Sequence, residues 1–496
     1  MEKNIQDYDF LYDFLRYYVD FSFKLAYQRV EYRGLENIPK DGAVIFAPNH
    51  TNGLQDALAI LAIDHGPKVF VARADIFKKP TLRKILTFLK IMPILRKRDG
   101  MENLGQNDAI MEKASQVLMD KVPFCIMAEG THRPKHSLLP LLKGIFRIAL
   151  KADSHIAGRM PVYIVPVGVE YGSYYRFRSS LLVNVGEPFD VSAYRKAHLE
   201  LSDAELLHSM REVLTKRMQD TIFYIPDDGD YEAMLTICHC VSEYRLRRKG
   251  VRNTLYNRML MNKEVVSELV ALRSESVVLQ TGGEVSSHSV SNASSLSSGA
   301  GSSLSVGDES SRKNWNELRE AAESLSKLCS DKGISAYSLA RPNLSLSIAL
   351  HTVAVVLGLP FALYSVVAAS PVLLVNWLVC RSLEDAAFRN SFSYVITMLL
   401  HPLVIAAWAA VLFCCIPCVW VALPLWVLTI FSVIISHDYW KMLRHWVSDI
   451  RLSRLMKSSL RKADLSSCGS ASSSGTGTSL GDSSSVESVI GMFRSL

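Results

Sequence analysis

The hydrophobic pattern changes character twice along the chain. Between residues 10 and 27, Phe10, Phe14, Tyr17, Tyr18, Phe21, Phe23 and Tyr27 are interrupted by Asp13, Arg16, Asp20 and Lys24 at helical intervals, which predicts an amphipathic helix. Charges within the run argue against a spanning segment, and aromatic rings favour the headgroup boundary of a bilayer or, equally, packing on the next domain. From Val30 the pattern becomes short apolar runs, at 43–47, 68–72, 123–128 and 162–169, with helical stretches at 57–63, 81–89, 107–119 and 144–151 between them. Strands alternating with helices indicate an α/β domain whose sheet is flanked by helices. Ser202-Asp203-Ala204-Glu205 has the capping-box pattern ahead of Leu206, Leu207, Met210, Val213 and Leu214, so a surface helix is expected there.

The second change comes in the C-terminal half. Leu344 to Cys380 contains no charged side chain, although His351, Pro360, Pro371 and Asn376 interrupt it; it is too long for one straight span and suits a kinked pair or a span plus a re-entrant segment. Tyr394 to Ser436 also lacks Asp, Glu, Lys and Arg and has room for two helices of about 20 residues each, with Pro417 near their turn. Lys441, Arg444, Arg451, Arg454, Lys457, Arg461 and Lys462 follow, a basic segment that the positive-inside rule keeps cytoplasmic. A catalytic domain on the same side requires an even number of spans, four being favoured over two. Ser274 to Ser311 and Ser466 to Ser485 are rich in Ser and Gly with few large apolar residues, and are expected to be a flexible linker and a disordered tail. The division that results is a membrane-associating helix at 1–30, a catalytic domain at 31–230, a helical extension at 231–273, the linker at 274–312 and a helical segment at 313–340. A transmembrane region of two to four spans at 341–440 and the basic segment with its Ser-rich tail at 441–496 complete it.

Composition agrees with this uneven layout. A chain of 496 residues exceeds one compact core, and 49% hydrophobic with 21% charged residues requires the apolar weight to be concentrated in places. The net charge of +7 suits anionic headgroups or phosphorylated substrates and is modest for a nucleic-acid binder, so no nucleic-acid partner is expected. Nine scattered cysteines, an odd number, do not form a disulfide framework. The N-terminus shows no apolar core leading to a small-residue cleavage site, which argues against a secretory signal.

The chemistry concentrates after the first strand. Pro48-Asn49-His50-Thr51-Asn52-Gly53-Leu54-Gln55-Asp56 places a His and an Asp on a strand-end loop and the helix start beyond it, the place where α/β folds put chemistry. A neutral imidazole can take a hydroxyl proton while a carboxylate on its other nitrogen fixes the tautomer and steadies the imidazolium. Alone, the pair is a weak signal and reads more readily as a structural loop histidine. Two further segments change the picture: Ala128-Glu129-Gly130-Thr131-His132-Arg133, where the Gly permits close backbone approach and the following side chains offer phosphate donors, and Met92-Pro93-Ile94-Leu95-Arg96-Lys97-Arg98, with three cations after an apolar approach.

In this order and at these spacings the segments resemble the phospholipid and glycerol acyltransferase (PlsC-like) family. The family's blocks are an Asn-His loop ending in Asp, an arginine block, Glu-Gly-Thr and a Val-Pro-Val-type strand, matched here also by Ile164-Val165-Pro166-Val167-Gly168 and, beyond it, Val185-Gly186-Glu187-Pro188. The resemblance covers about residues 30 to 225. It implies that His50 is the general base for a glycerol hydroxyl and Asp56 its orienting partner. It places Arg96, Glu129, Gly130, Thr131 and Arg133 in a phosphate-side pocket, and Lys143 and Pro166 among acyl or carrier contacts. It further implies an acyl-CoA or acyl carrier protein donor, a glycerol 3-phosphate or lysophospholipid acceptor, and neither a metal nor a further cofactor. Five residues separate His50 from Asp56 where the common form has four, and His132 stands where an Arg often follows Glu-Gly-Thr. The wider spacing and the apolar C-terminal half are similar to the branch of yeast-type glycerol-3-phosphate acyltransferases and related bacterial proteins.

Competing readings are weaker. Cys238-His239-Cys240 has adjacent ligands that cannot easily complete a tetrahedral zinc site. A catalytically silent lipid-binding or scaffold protein would need neither His50 nor Asp56, and a transporter would place paired charges within its spans.

Overall fold

The computed structural model describes residues 4–94, 104–280, 315–341, 343–467 and 489–493. Helix α1 (Phe10–Ala26) leads directly into strand β1 (Tyr27–Arg33), followed by β2 (Ala43–Pro48), α2 (Leu54–Leu61), β3 (Val69–Arg73), α3 (Pro80–Phe88), β4 (Ile91–Ile94), α4 (Leu104–Met119) and β5 (Phe124–Cys125). Then come α5 (Gly144–Ile156), β6 (Val162–Tyr171), β7 (Ser179–Val185), β8 (Phe189–Asp190), α6 (Val191–Ala197) and α7 (Asp203–Thr221). The rest is helical: α8 (Tyr231–Arg248), α9 (Leu255–Gln280), α10 (Trp315–Lys332), α11 (Ala336–Leu339), α12 (Leu344–Cys380), α13 (Ala386–Cys415), α14 (Val419–Ile430) and α15 (Ser432–Ser467). Two compact units result, one from Met1–Tyr224 with Val353–Met442 and one from Ile225–Thr352 with Leu443–Leu496.

The first unit is built on a mixed sheet of order β1-β7-β6-β2-β5-β3-β4, with β8 beside β6. β2 lies parallel to both β6 and β5, whereas β6 runs antiparallel to β7. Every residue of β2 is buried, as a strand covered on both faces requires. Ala43, Ile45 and Ala47 pack towards Phe146, Ile148 and Met210 of α5 and α7. The alternate residues Val44 and Phe46 join a second cluster with Phe23 of α1, Ala59 of α2 and Tyr394 of α13. The strand expected over 123–128 is only two residues long, because Gly130 turns the chain with φ +69 and its N–H bonds Met127 O at 3.0 Å. Ser202 and Glu205 cap α7 reciprocally, as their spacing predicts.

α12 and α13 are long and apolar enough to cross a membrane, and α14 with α15 forms a further apolar pair bent by 63°. The kinked or re-entrant arrangement expected for 344–380 is replaced by one continuous helix of 37 residues that carries Pro360 and Pro371 inside it. At about 1.5 Å per residue it exceeds the roughly 30 Å of a bilayer's hydrocarbon core, so both ends have length to spare. Val356, Leu357, Leu363, Leu399 and Leu403 are exposed, an apolar surface suited to lipid rather than water. The break expected at Pro417 lies between α13 and α14.

In the second unit α8 packs against α9 and α10, with Cys238 and Cys240 buried in α8 as packing residues. Asp449 is fully buried and accepts from Ser338 and Ser347 hydroxyls, each at 2.7 Å. The linker expected from Ser274 begins later than the composition suggests, since α9 continues through Gln280; the remainder to Ser311, and the tail from residue 468 to 485, lie outside the described residues. The basic segment is helical and lies in α15.

Gly168 is the tightest position in the sheet: a Cβ there would lie 2.2 Å from Thr221 O and 2.7 Å from Thr221 C at the end of α7. Gly168→Ala should therefore destabilise the folded chain by about 1–3 kcal/mol, seen as a lower melting temperature in detergent.

Candidate active site

Asp56 lies in the first turn of α2, and Gly53 before it takes φ +55, which lets the loop double back toward β2. His50 Nδ1 and Asp56 Oδ2 come to 2.9 Å. The same oxygen accepts the N–H groups of Thr51 at 2.8 Å and Asn52 at 2.7 Å, while Oδ1 accepts the Tyr171 hydroxyl at 2.7 Å. Asp56 is fully buried and the His50 ring retains 16% exposure. The carboxylate is thus satisfied by hydrogen bonds at both oxygens, which is what keeps a buried charge tolerable. Burial and the charge of Asp56 push the Tyr171 phenol well above its ordinary range, so it remains a donor. With Nδ1 engaged by Asp56, Nε2 is the ring nitrogen left for a further hydrogen bond.

Glu129 holds the second loop against the first. Oε1 accepts the His50 N–H and Oε2 the Leu139 N–H, each at 2.8 Å, and the Arg133 N–H reaches His50 O at 3.1 Å. Burial raises the Glu129 carboxyl and the two N–H bonds oppose that shift. Both Glu129 oxygens are thus taken by backbone N–H groups, and the carboxylate ties the two loops together. Gly130 serves the same turn: a Cβ would meet Leu142 Cδ1 at 2.3 Å. Thr131 is exposed on the loop, and Arg133 is half-buried with a guanidinium nitrogen 2.9 Å from Ser137 Oγ. Lys143 is exposed at the start of α5. Pro166 is buried within β6 beside Ala47, its carbonyl accepting the Gly186 N–H at 2.9 Å, so it does not line an open surface. Arg96 lies outside the described residues.

Several members of the site are not legible as such in the sequence. Tyr171 reads as the end of an apolar strand, and His132 only as a loop donor. His132 Nε2 pairs with Asp385 Oδ2 at 2.8 Å, and its ring meets the His50 ring edge-on, with centroids 5.5 Å apart. Partial burial pushes the Asp385 carboxyl up, but hydrogen bonds from His132 and the Ala387 N–H outweigh it and hold the group below the usual carboxylate range. No spacing rule connects two residues 253 positions apart.

Residues 29–170 match the Acyltransferase family model. This segment is an acyltransferase-family domain. Its matched span contains His50, Asp56, Glu129 and the whole of β2 to β5. Among solved structures, the crystal structure of the 1-acyl-sn-glycerophosphate (LPA) acyltransferase PlsC from Thermotoga maritima is similar at 22% identity, covering 42% of this chain and 79% of that one, with a TM-score of 0.31. No curated protein matches the chain.

The brace of the acyltransferase domain is open to a direct test. Glu129→Gln places an amide N–H against one of two buried backbone N–H groups, and should cost about 1–3 kcal/mol of stability together with a fall in acyl transfer; thermal unfolding and turnover of the same preparation check both.

Proposed function

We propose that the chain is a membrane-bound O-acyltransferase of glycerolipid synthesis, moving a fatty acyl group from a thioester carrier, acyl-CoA or acyl carrier protein, to a hydroxyl of glycerol 3-phosphate or 1-acyl-glycerol 3-phosphate. The observation that carries this reading is the 2.9 Å contact between Nδ1 of His50, just beyond the central strand β2, and the fully buried Asp56 of α2. In the proposed reaction His50 Nε2 takes the acceptor's hydroxyl proton and Asp56 steadies the imidazolium. The oxygen attacks the thioester carbonyl, forming the new C–O bond and an oxyanion. That oxyanion collapses with cleavage of the C–S bond, and the proton held on His50 passes to the departing sulfur. Neither a metal nor a covalent enzyme intermediate is needed for this balance. Arg133 and Thr131, with Arg96 of the basic segment in the sequence, are the proposed cationic and polar side for the acceptor phosphate.

The membrane side of the proposal rests on α12 and α13 and on α1, whose Phe10, Phe14, Tyr17 and Phe21 are exposed. Such a ring-rich face suits the headgroup region, where an acyl acceptor or product resides. The cations of α15 favour a cytoplasmic catalytic domain by the positive-inside rule.

The test is radiolabelled acyl transfer in membranes, pairing each donor with each acceptor. His50→Ala should lower the rate by about 10²–10⁴-fold with unchanged membrane insertion, and Asp56→Asn should also remove most activity. A His50→Ala protein transferring acyl groups at the wild-type rate would refute the assignment.

A further inference from the structure

The acyltransferase domain does not complete its own site, because residues from the start of α13 reach it at three places. Asp385, the N-cap of α13, divides its carboxylate: Oδ1 accepts the Ala387 N–H at 2.8 Å and Oδ2 meets His132 Nε2 at 2.8 Å. The His132 ring is enclosed by two edge contacts, to His50 at 5.5 Å and to Phe388 of α13 at 5.3 Å between centroids. One turn further along, Asn390 Nδ2 donates to Asn52 Oδ1 at 3.1 Å, and Ser391 Oγ accepts the Leu54 N–H at 3.3 Å. Asn52 and Leu54 belong to the loop that joins His50 to Asp56, and the Asn52 N–H is itself bonded to Asp56. Tyr394 continues the docking in the core beside Phe46, and its hydroxyl lies 2.9 Å from Ser22 Oγ of α1.

These contacts are unlike ordinary helix packing. An apolar helix start would bury against the sheet without any polar partner, whereas here three polar side chains at the start of α13 and its cap are spent on a single loop and on the His132 ring that abuts His50. A carboxylate fixed by a helix cap has little rotamer freedom left, and it transmits that restriction to His132 through a charge-assisted bond.

We propose that the first turns of α13 are part of the active site, Asp385 acting through His132, and Asn390 and Ser391 through the 51–54 loop, to position the His50 ring for proton transfer. This rests on the reading of His50 as the base. None of these residues exchanges a proton with substrate; they are positioning residues. Catalysis is then coupled to the docking of an apolar, membrane-type helix, and the domain at 29–170 in isolation lacks part of what orients its base.

The experiment measures kcat and acceptor KM separately for the full-length chain in membranes. Asp385→Ser keeps a side chain able to cap Ala387 but too short for His132, and His132→Asn leaves the α13 cap untouched. Each should lower kcat by about 10- to 100-fold with acceptor KM changed by less than about twofold, and the double variant should be no slower than the slower single one. Asp385→Asn, which offers an oxygen to either partner, should restore much of the lost turnover. Wild-type kcat in Asp385→Ser, a loss carried by KM alone, or multiplying effects in the double variant would overturn the proposal. His50→Ala run beside them separates the two claims: if it destroys transfer while Asp385→Ser does not, the positioning role alone fails, and if it leaves transfer intact, the base assignment fails and this proposal with it.

Discussion

A single buried carboxylate organises the loop that carries His50. Asp56 receives the His50 ring, two backbone N–H groups and the Tyr171 hydroxyl, and no part of it touches solvent. An ionised carboxyl is tolerated there only while its lone pairs are occupied, since an unpaired buried charge costs several kcal/mol. The loop from Thr51 to Gln55 is consequently wound around the carboxylate, and the orientation of His50 follows from that winding. Glu129 applies the same device from the other side, engaging one N–H of each loop. Two carboxylates, Asp56 held by two backbone N–H groups and two side chains and Glu129 by two backbone N–H groups, fix the loops of the site.

The sheet is the platform for both. β2 and β5 lie side by side and parallel, so the loops after them emerge at the same edge, which brings His50 and Glu129 together although 79 positions separate them. This is the behaviour of α/β sheets, in which strand ends rather than strand faces carry chemistry. α13 adds a third contribution from far along the chain, and with it a physical link between an apolar helix and the His50 loop.

Much of this was legible in the sequence, and the reason differs by element. Continuous apolar runs such as 43–47 reported strands buried on both faces, and the Ser202 to Glu205 box reported a helix start, because these depend on neighbours in sequence. The His50 and Asp56 pairing was likewise local and formed as expected. The Glu129 motif is legible in the sequence, whereas the two backbone N–H groups that fix its carboxylate are displayed by no motif. Pro166 follows the same rule: the residue type marks the strand, and only the sheet reveals that its ring is buried. For 344–380 the two prolines argued for a break, but Pro360 and Pro371 are accommodated within one continuous helix, as prolines in apolar membrane helices often are. The His132 and Asp385 contact is non-local in the strict sense, arising only once α13 docks, and is invisible to periodicity or spacing.

The central claim is that His50 Nε2 is the atom that receives the acceptor's proton. The most direct measurement is an experimental structure of the full-length protein with a glycerol 3-phosphate or lysophosphatidate acceptor and an unreactive thioether analogue of the donor. The account predicts the acceptor hydroxyl within about 2.6–3.2 Å of His50 Nε2 and the His50 to Asp56 bond retained. An acceptor hydroxyl held against a different base, with His50 turned away from both ligands, would contradict it.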